Sequence, residues 1–151
     1  MKDDKIHIYT DGSCIGNPGP GGWGAIILYN EKEHDLKGGD HDTTNNRMEM
    51  TAIIHALKWI RQSKNIPTEE LDQARITIHS DSNLIIQTLN KGWKRKANTD
   101  LWAEMDKQRA WLNIQWVWVK AHADNHYNNK VDEIALAQAK KHHPHPRTCN
   151  P

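Results

Sequence analysis

The sequence predicts an α/β fold in which a mixed five-stranded sheet carries helices on both faces. The predicted elements follow the order β-β-β-α-β-α-α-β-α along the 151 residues. The first three strands have short connections, which favours antiparallel pairing, whereas the last two are reached through helices and should run parallel to the first. We expect a single domain over residues 1–141 and a flexible C-terminal tail over 142–151.

The first part of the chain supplies three strands and a long helix. Apolar residues alternate over 6–11, an apolar run covers 23–29, and a weaker strand pattern covers 33–39. The segment 12–22 holds five of the nine glycines and two of the six prolines, so we expect a loop there. An apolar stripe at helical spacing then predicts a helix over 47–61.

The second part of the chain alternates strands with helices. Strands are predicted over 75–81 and over 114–120, where aromatic and β-branched residues are dense. Helices are predicted over 83–90, 100–112 and 128–141.

Composition excludes several classes of protein and leaves others open. Lys and Arg total 20 against 19 Asp and Glu, so any nucleic acid must be bound by a local patch. The two cysteines, Cys14 and Cys149, form neither a disulfide framework nor a zinc pattern, which fits a reducing compartment. With no signal peptide and no long apolar run, the sequence predicts a cytoplasmic protein.

Four carboxylates occupy positions that suggest a common site. Asp11 and Asp81 end two predicted strands that should lie side by side and parallel, so both side chains emerge at one sheet edge. Glu49 and Asp132 lie on the inward faces of their helices, each in a predicted first turn. Converging acids repel one another, and hard cations such as Mg²⁺, which take oxygen ligands, remove that repulsion.

Each acid also has a simpler interpretation on its own. Glu49 fits a capping box with Asn46, and Asp81 fits an N-cap for the helix that follows it. Asp11 fits a turn residue, and Asp132 in isolation is better explained as a solvated helix acid. The metal interpretation depends on all four pointing to one edge of the sheet.

Two other kinds of site are improbable. The glycine-rich segment 12–22 lacks the G-x-x-x-x-G-K-[ST] pattern and opens no helix, which argues against a nucleotide-phosphate loop. The sequence contains no H-E-x-x-H and no C-x-x-C, which argues against zinc.

Four segments, in order along residues 6 to about 140, resemble the motifs of bacterial type 1 ribonuclease H. They are long and specific, which makes chance similarity very improbable. They comprise YTDGSC at 9–14 with GNPGPGGWG at 16–24, TTNNRME at 43–49, SDS at 80–82, and WVKAHA at 118–123 with Asp132 and Glu133 beyond it.

The resemblance implies an RNase H-like fold and hydrolysis of the RNA strand of RNA–DNA hybrids. Two Mg²⁺ ions, with Mn²⁺ as a substitute, would assist the reaction, which would leave 5′-phosphate and 3′-hydroxyl ends. The residues that match the family's metal-binding catalytic carboxylates are Asp11, Glu49, Asp81 and Asp132. His122 matches a residue on a mobile loop that assists proton transfer or product release. Without the resemblance, His122 is better explained as an ordinary surface-loop histidine, one of ten histidines in the chain.

Substrate binding is assigned mainly to short uncharged side chains near the acids. Such groups reach base edges and 2′-hydroxyls in a shallow minor groove, although Asn45 and Asn46 are equally ordinary cap residues. The segment 91–96 is the one dense basic cluster and encloses an aromatic residue; it would bind the DNA backbone, or be a solvated loop. The assigned residues are Cys14, Asn17, Thr44, Asn45, Asn46, Asn83, Trp93, Lys94 and Asn128.

The sequence departs from the family pattern at four places. The Trp-rich and basic region before the helix at 100 is shorter than in most bacterial relatives. Asn83 stands where Gln is usual, and Asn128-Asn129 replaces an Asn-Glu pair. Ala121 and Asp124 flank the His122 loop where glycines are usual, which leaves the contribution of His122 open.

Two alternatives to an independent enzyme remain. One is a hybrid-binding module without catalysis, against which the complete acid set argues. The other is a nuclease module of a reverse transcriptase, whereas a chain running from Met1 to just past the last helix favours an independent enzyme. We expect a monomer.

Overall fold

The computed structural model describes residues 5–120 and 125–142. The strands are β1 (Lys5–Cys14), β2 (Gly19–Tyr29), β3 (Lys32–Thr43), β4 (Arg75–Ser80) and β5 (Asn113–Trp118). The helices are α1 (Asn45–Ile60), α2 (Thr68–Gln73), α3 (Asn83–Lys91), α4 (Thr99–Arg109) and α5 (His126–Lys141).

The five strands form one mixed sheet in the order β3-β2-β1-β4-β5. β1 pairs antiparallel with β2 and β2 with β3, whereas β4 runs parallel to both β1 and β5. The predicted fold class, with three antiparallel strands and two further parallel strands, is confirmed.

Helices cover both faces of the sheet. Neighbouring residues of a strand point to opposite faces, and on β2 these faces meet different helices. Trp23 packs with Met48 and Ala52 of α1, whereas a Cβ at Gly22 would lie 2.3 Å from the backbone nitrogen of Ala139 in α5. The main core lies between the sheet and α1, where Ile6 and Ile8 of β1, among others, are buried.

The predicted loop over 12–22 is wrong. β1 continues to Cys14 and pairs with β2 through Gly12 and Ser13, so only residues 15–18 turn the chain. Gly16, with φ of 82°, lies in that turn. Gly12 instead serves close packing: a Cβ there would lie 2.3 Å from the backbone nitrogen of Glu49, where no side chain fits.

Two further differences from the sequence prediction concern helices. The short helix α2 was not predicted; it follows Pro67, carries Glu69 and Glu70 in its first turn, and buries only Leu71. The helix predicted over 100–112 ends at Arg109, because Ala110 leaves the helical conformation, with ψ of 139°; Trp111 follows in a left-handed conformation, with φ of 59°. In the part of the chain that is described, no helix is long and apolar enough to cross a membrane.

Candidate metal centre and substrate cleft

Asp11 and Asp81 project from the point where the parallel pairing of β1 and β4 stops. The last paired residues are Thr10 and Ser80, and the aspartates follow them directly. Asp11 was predicted to be the last residue of its strand. This is wrong, because β1 continues alongside β2 to Cys14. Asp81 lies just beyond β4 rather than in it. The expectation that the two carboxylates share one sheet edge holds nonetheless.

The N-cap interpretation of Asp81 is wrong, because Ser82 caps α3. Its Oγ accepts a hydrogen bond from the backbone nitrogen of Ile85 at 3.3 Å. The backbone around Asp81 is also held from β5: the Trp118 indole Nε1 donates to the Asp81 carbonyl at 3.3 Å, and the Val119 nitrogen donates to the Ser80 carbonyl at 2.9 Å. Trp118 was not predicted as a site residue. Its position in the last motif, WVKAHA at 118–123, was the only sequence feature that pointed to such a role.

Glu49 reaches the same edge from the second turn of α1. The helix begins one residue after Thr44, whose Oγ1 accepts from the Arg47 nitrogen at 3.2 Å, so the predicted first-turn position and the capping box with Asn46 are both wrong. The Glu49 side chain is only 9% exposed, and its Oε1 has no hydrogen-bond partner. The α1 backbone at Glu49 can pack directly against β1 because Gly12 has no Cβ; a Cβ there would lie 2.3 Å from the Glu49 nitrogen.

Asp11, Glu49 and Asp81 form a tight carboxylate cluster. Each offers one oxygen, and these oxygens lie within 4.8 Å of one another. Burial, followed by the negative charge of Asp81, raises the pKa of Asp11 to about 9. Burial and the charges of Asp11 and Asp81 likewise raise the pKa of Glu49 well above its usual range. Among the described residues, this is the one group of three or more acidic, His or Cys side chains close enough to hold a metal ion.

The chemistry of this cluster fits divalent metal ions. Oε1 of Glu49 is buried without a hydrogen-bond partner, and no basic side chain among the described residues offsets the raised pKa values of Asp11 and Glu49. Hard cations bound to carboxylate oxygens supply a compensating positive charge.

Asp132 lies at the exposed rim of the cluster. It is the seventh residue of α5, not a first-turn residue as predicted; it is exposed, and it lines the same cleft as the other three acids. Its carboxyl still acts on Asp11, whose pKa it raises through a side-chain hydrogen bond and through its charge. The structure thus brings three of the four predicted acids together and places the fourth beside them.

A cleft of about 540 Å³ opens over the carboxylates. Five of the residues that we assigned to substrate binding line it: Cys14, Asn45, Asn46, Asn83 and Asn128. Five further lining residues were not predicted from the sequence: Gly12, Ser13, Ser82, Leu84 and Asn129.

Asn17 and Thr44 do not line the cleft; they shape its edge. The Asn17 Oδ1 accepts from the backbone nitrogen of Asn45 at 2.9 Å, which ties the β1–β2 turn to the start of α1. Thr44 caps that helix. Asn128 is buried in the first turn of α5, which Asn125 caps.

Trp93 and Lys94 line a second groove of about 480 Å³, next to the cleft. The two cavities share Asn46 and Leu84. The groove has an apolar floor that includes Met50 and Ile85. The structure therefore separates the predicted substrate residues into one group around the acids and another beside the basic segment. His122 lies outside the described residues, as do Cys149 and residues 143–151 of the predicted tail.

Comparison with known proteins identifies the family. The family model described as RNase H matches residues 3–140. The ribonuclease H of Ehrlichia canis (strain Jake) is 44% identical over 149 residues, covering 93% of this chain and 100% of that protein. The ribonuclease H of Rhizobium meliloti (strain 1021) is 41% identical over 143 residues, covering 86% and 87%.

Solved structures agree. LC9-RNase H1, a type 1 RNase H with the type 2 active-site motif, superposes with a TM-score of 0.76 at 26% identity, covering 94% of this chain and 75% of that one. LC11-RNase H1, solved in complex with an RNA/DNA hybrid, gives 0.74 at 26% identity, covering 90% and 97%. The prediction of a ribonuclease H enzyme is confirmed, and the chain belongs to the RNase H family.

Proposed function

We propose that this chain hydrolyses the RNA strand of RNA–DNA hybrids in the cleft above Asp11, Glu49 and Asp81. The observation that carries the proposal is the cluster of three buried or half-buried carboxylates, two placed where the parallel pairing of β1 and β4 stops and the third placed by α1. LC11-RNase H1, a relative of the same fold, is known in complex with such a hybrid.

The four acids would hold two divalent ions, Mg²⁺ by preference and Mn²⁺ as a substitute. Mg²⁺ is the hard cation that one or two carboxylates and several waters bind well. When bound, the ions lower the pKa of water and stabilise the charge of the attacking and leaving oxygens of a phosphodiester. Asp11, Glu49 and Asp81 hold their oxygens together from three elements, and Asp132 adds a carboxylate from the open side.

The chain's other residues would position the hybrid. Short polar side chains around the acids suit contact with base edges and 2′-hydroxyls in the minor groove, and the 2′-hydroxyl is what marks the strand to be cut. In this proposal, the RNA strand contacts Cys14, Asn17, Asn45, Asn46, Asn83 and Asn128.

The DNA strand would lie on the neighbouring groove. Trp93 is 43% exposed and offers a stacking surface, and Lys94 supplies positive charge for the backbone. Thr44, beside Asn45 at the start of α1, would help to hold a DNA phosphate. His122 would transfer a proton or assist product release, to an extent that depends on its altered loop.

The test is cleavage of a labelled RNA–DNA hybrid, with RNA–RNA and DNA–DNA duplexes as controls, in Mg²⁺ and in EDTA. We compare the native chain with Asp11→Asn and with Asp72→Asn, a matched loss of one exposed carboxylate on α2. We expect metal-dependent cutting of the hybrid's RNA strand alone, abolished by the first variant and retained in the second, with 5′-phosphate and 3′-hydroxyl ends identified by mass spectrometry.

Hybrid binding without cutting in either Mg²⁺ or Mn²⁺ would overturn the proposal and identify a binding module. The proposal also includes two properties predicted from the sequence. The chain would be a monomer, which light scattering tests, and it would be cytoplasmic, which cell fractionation tests.

A further inference from the structure

The segment 92–98, which connects α3 to α4, lies in no helix or strand. It begins at Gly92 and ends at Asn98, both in the left-handed conformation, with φ of 69° and 57°. Trp93, Lys94 and Lys96 are exposed and line the groove beside the cleft. Since no strand pairing or helix fixes these residues, their position depends on side-chain anchors.

Arg95 is the one residue between Gly92 and Ala97 that is not exposed. Its guanidinium binds both oxygens of Asp106 on α4, with Nη1–Oδ2 at 2.5 Å and Nη2–Oδ1 at 3.1 Å. Its Cζ also lies 4.4 Å from the centre of the Trp102 ring, which is 7% exposed. Such bidentate and stacked geometry fixes the direction of an arginine side chain as well as its distance.

We propose that Arg95 is a positioning residue for hybrid binding. It holds the middle of the 92–98 segment against α4, so that Trp93, Lys94 and Lys96 stand over the groove. This inference rests on the proposed function, because the groove matters only if the hybrid enters it. In this proposal Arg95 itself does not touch the hybrid, because its guanidinium is already paired with the Asp106 carboxylate and stacked on the Trp102 ring.

A second arginine, Arg47, anchors the end of the 92–98 segment, whereas Arg95 anchors its centre. Arg47 of α1 donates to the Asn98 side chain at 3.1 Å and binds Asp100, which fixes the end of the segment where α4 begins. Loss of Arg95 would therefore release Trp93 and Lys94 without detaching α4.

A positioning role and a direct phosphate contact predict opposite effects of Asp106→Asn. If Arg95 bound phosphate, removing Asp106 would free its charge and tighten hybrid binding. If Arg95 positions the segment, Asp106→Asn removes the anchor and weakens binding as Arg95→Gln does. The double variant should then be no worse than either single one, because both remove the same interaction.

The experiment measures hybrid cleavage and native-state trypsin digestion for Arg95→Gln, Asp106→Asn, the double variant and Arg109→Gln. Arg109→Gln is the matched control, since Arg109 also binds Asp106, at 3.1 Å, and its loss removes the same charge. We expect KM for the hybrid to rise roughly tenfold, the loss of about one stacked base, in the first three variants. We expect kcat, the Mg²⁺ dependence and Tm to change little, and the control to behave as the native chain.

Trypsin supplies a readout that is independent of activity. Asp106→Asn leaves every cleavage site in the segment intact, yet cutting after Lys94 and Lys96 of the folded protein should accelerate severalfold, as local opening becomes easier.

Tighter hybrid binding in Asp106→Asn, or unchanged KM and unchanged digestion in Arg95→Gln, would overturn the inference. If the native chain cuts hybrids, that result leaves the proposed function intact. If the native chain neither binds nor cuts hybrids, the proposed function fails instead, and the digestion rates alone decide whether Arg95 anchors the segment.

Discussion

Replacing Asp11 by Asn should abolish catalysis and yet stabilise the metal-free protein, increasingly so as the pH rises. Burial and neighbouring charges raise the pKa of Asp11 from 3.8 to about 9. In the unfolded chain the carboxyl ionises near its ordinary pKa, whereas in the folded state it keeps its proton. Folding therefore opposes ionisation, and the resulting cost is absent below pH 3.8 and grows until the pH passes the folded pKa.

The size of this cost follows from the distance in pH between 3.8 and the working pH. Each pH unit is worth about 1.4 kcal/mol, so the cost is about 4 kcal/mol at pH 7 and about 2 kcal/mol at pH 5. Asn removes the titration while keeping an oxygen that can accept from the Gly12 nitrogen, which now donates to Asp11 at 2.8 Å. The stabilising effect of the variant should thus be between two and three times as large at pH 7 as at pH 5.

The assay is chemical denaturation of the native chain and of Asp11→Asn in EDTA, from pH 5 to pH 8. Asp72→Asn, an exposed carboxylate on α2, controls for a change of one charge. Added Mg²⁺ should stabilise the native chain more than Asp11→Asn, because metal binding to the folded state alone adds to its stability. A variant that is less stable than the native chain in EDTA, or a difference in stability that does not change with pH, would contradict this prediction.

Two further predictions concern the backbone around the acids. Gly12→Ala should destabilise the fold by about 3 kcal/mol, as overpacking of a tight contact does, because its Cβ would lie 2.3 Å from the Glu49 nitrogen; urea denaturation that shows no loss would contradict this. Trp118→Phe removes the indole hydrogen bond to the Asp81 carbonyl at an exposed position, so it should cost under ~1 kcal/mol of stability while raising the Mg²⁺ concentration for half-maximal cleavage severalfold. An unchanged Mg²⁺ titration would show that this hydrogen bond does not orient Asp81.

The sheet and the location of the site followed from patterns that are local in the sequence. Strand alternation and helical stripes predicted all five strands and four of the five helices. The rule that parallel strands bring their carboxyl ends to one edge was enough to bring Asp11 and Asp81 together. The missed helix α2 has six residues and buries one apolar side chain, too little to produce a periodic pattern.

What the sequence did not predict depends partly on choices between neighbouring residues of similar preference and partly on contacts between separate segments. Ser82 rather than Asp81 caps α3, and Thr44 rather than Asn46 caps α1; both choices involve neighbouring residues of similar capping preference. Asp132 lies in the second turn of α5 rather than the first, because the helix begins at His126, two residues before the predicted start. Arg95 belonged to a basic cluster in the sequence, and only the fold reveals its partner Asp106.

The glycines of 12–22 show why composition alone misassigned a segment that matters for the site. Glycine is common in loops because it tolerates unusual dihedral angles, yet it is also required where two backbones approach within side-chain distance. Gly12 lies in β1 and meets α1 at Glu49, whereas Gly22 lies in β2 and meets α5 at Ala139. Because neither glycine has a Cβ, both helices can pack closely against the sheet near Asp11. The same residues that suggested a loop are therefore those that bring the acids of α1 and α5 to the edge where β1 and β4 part.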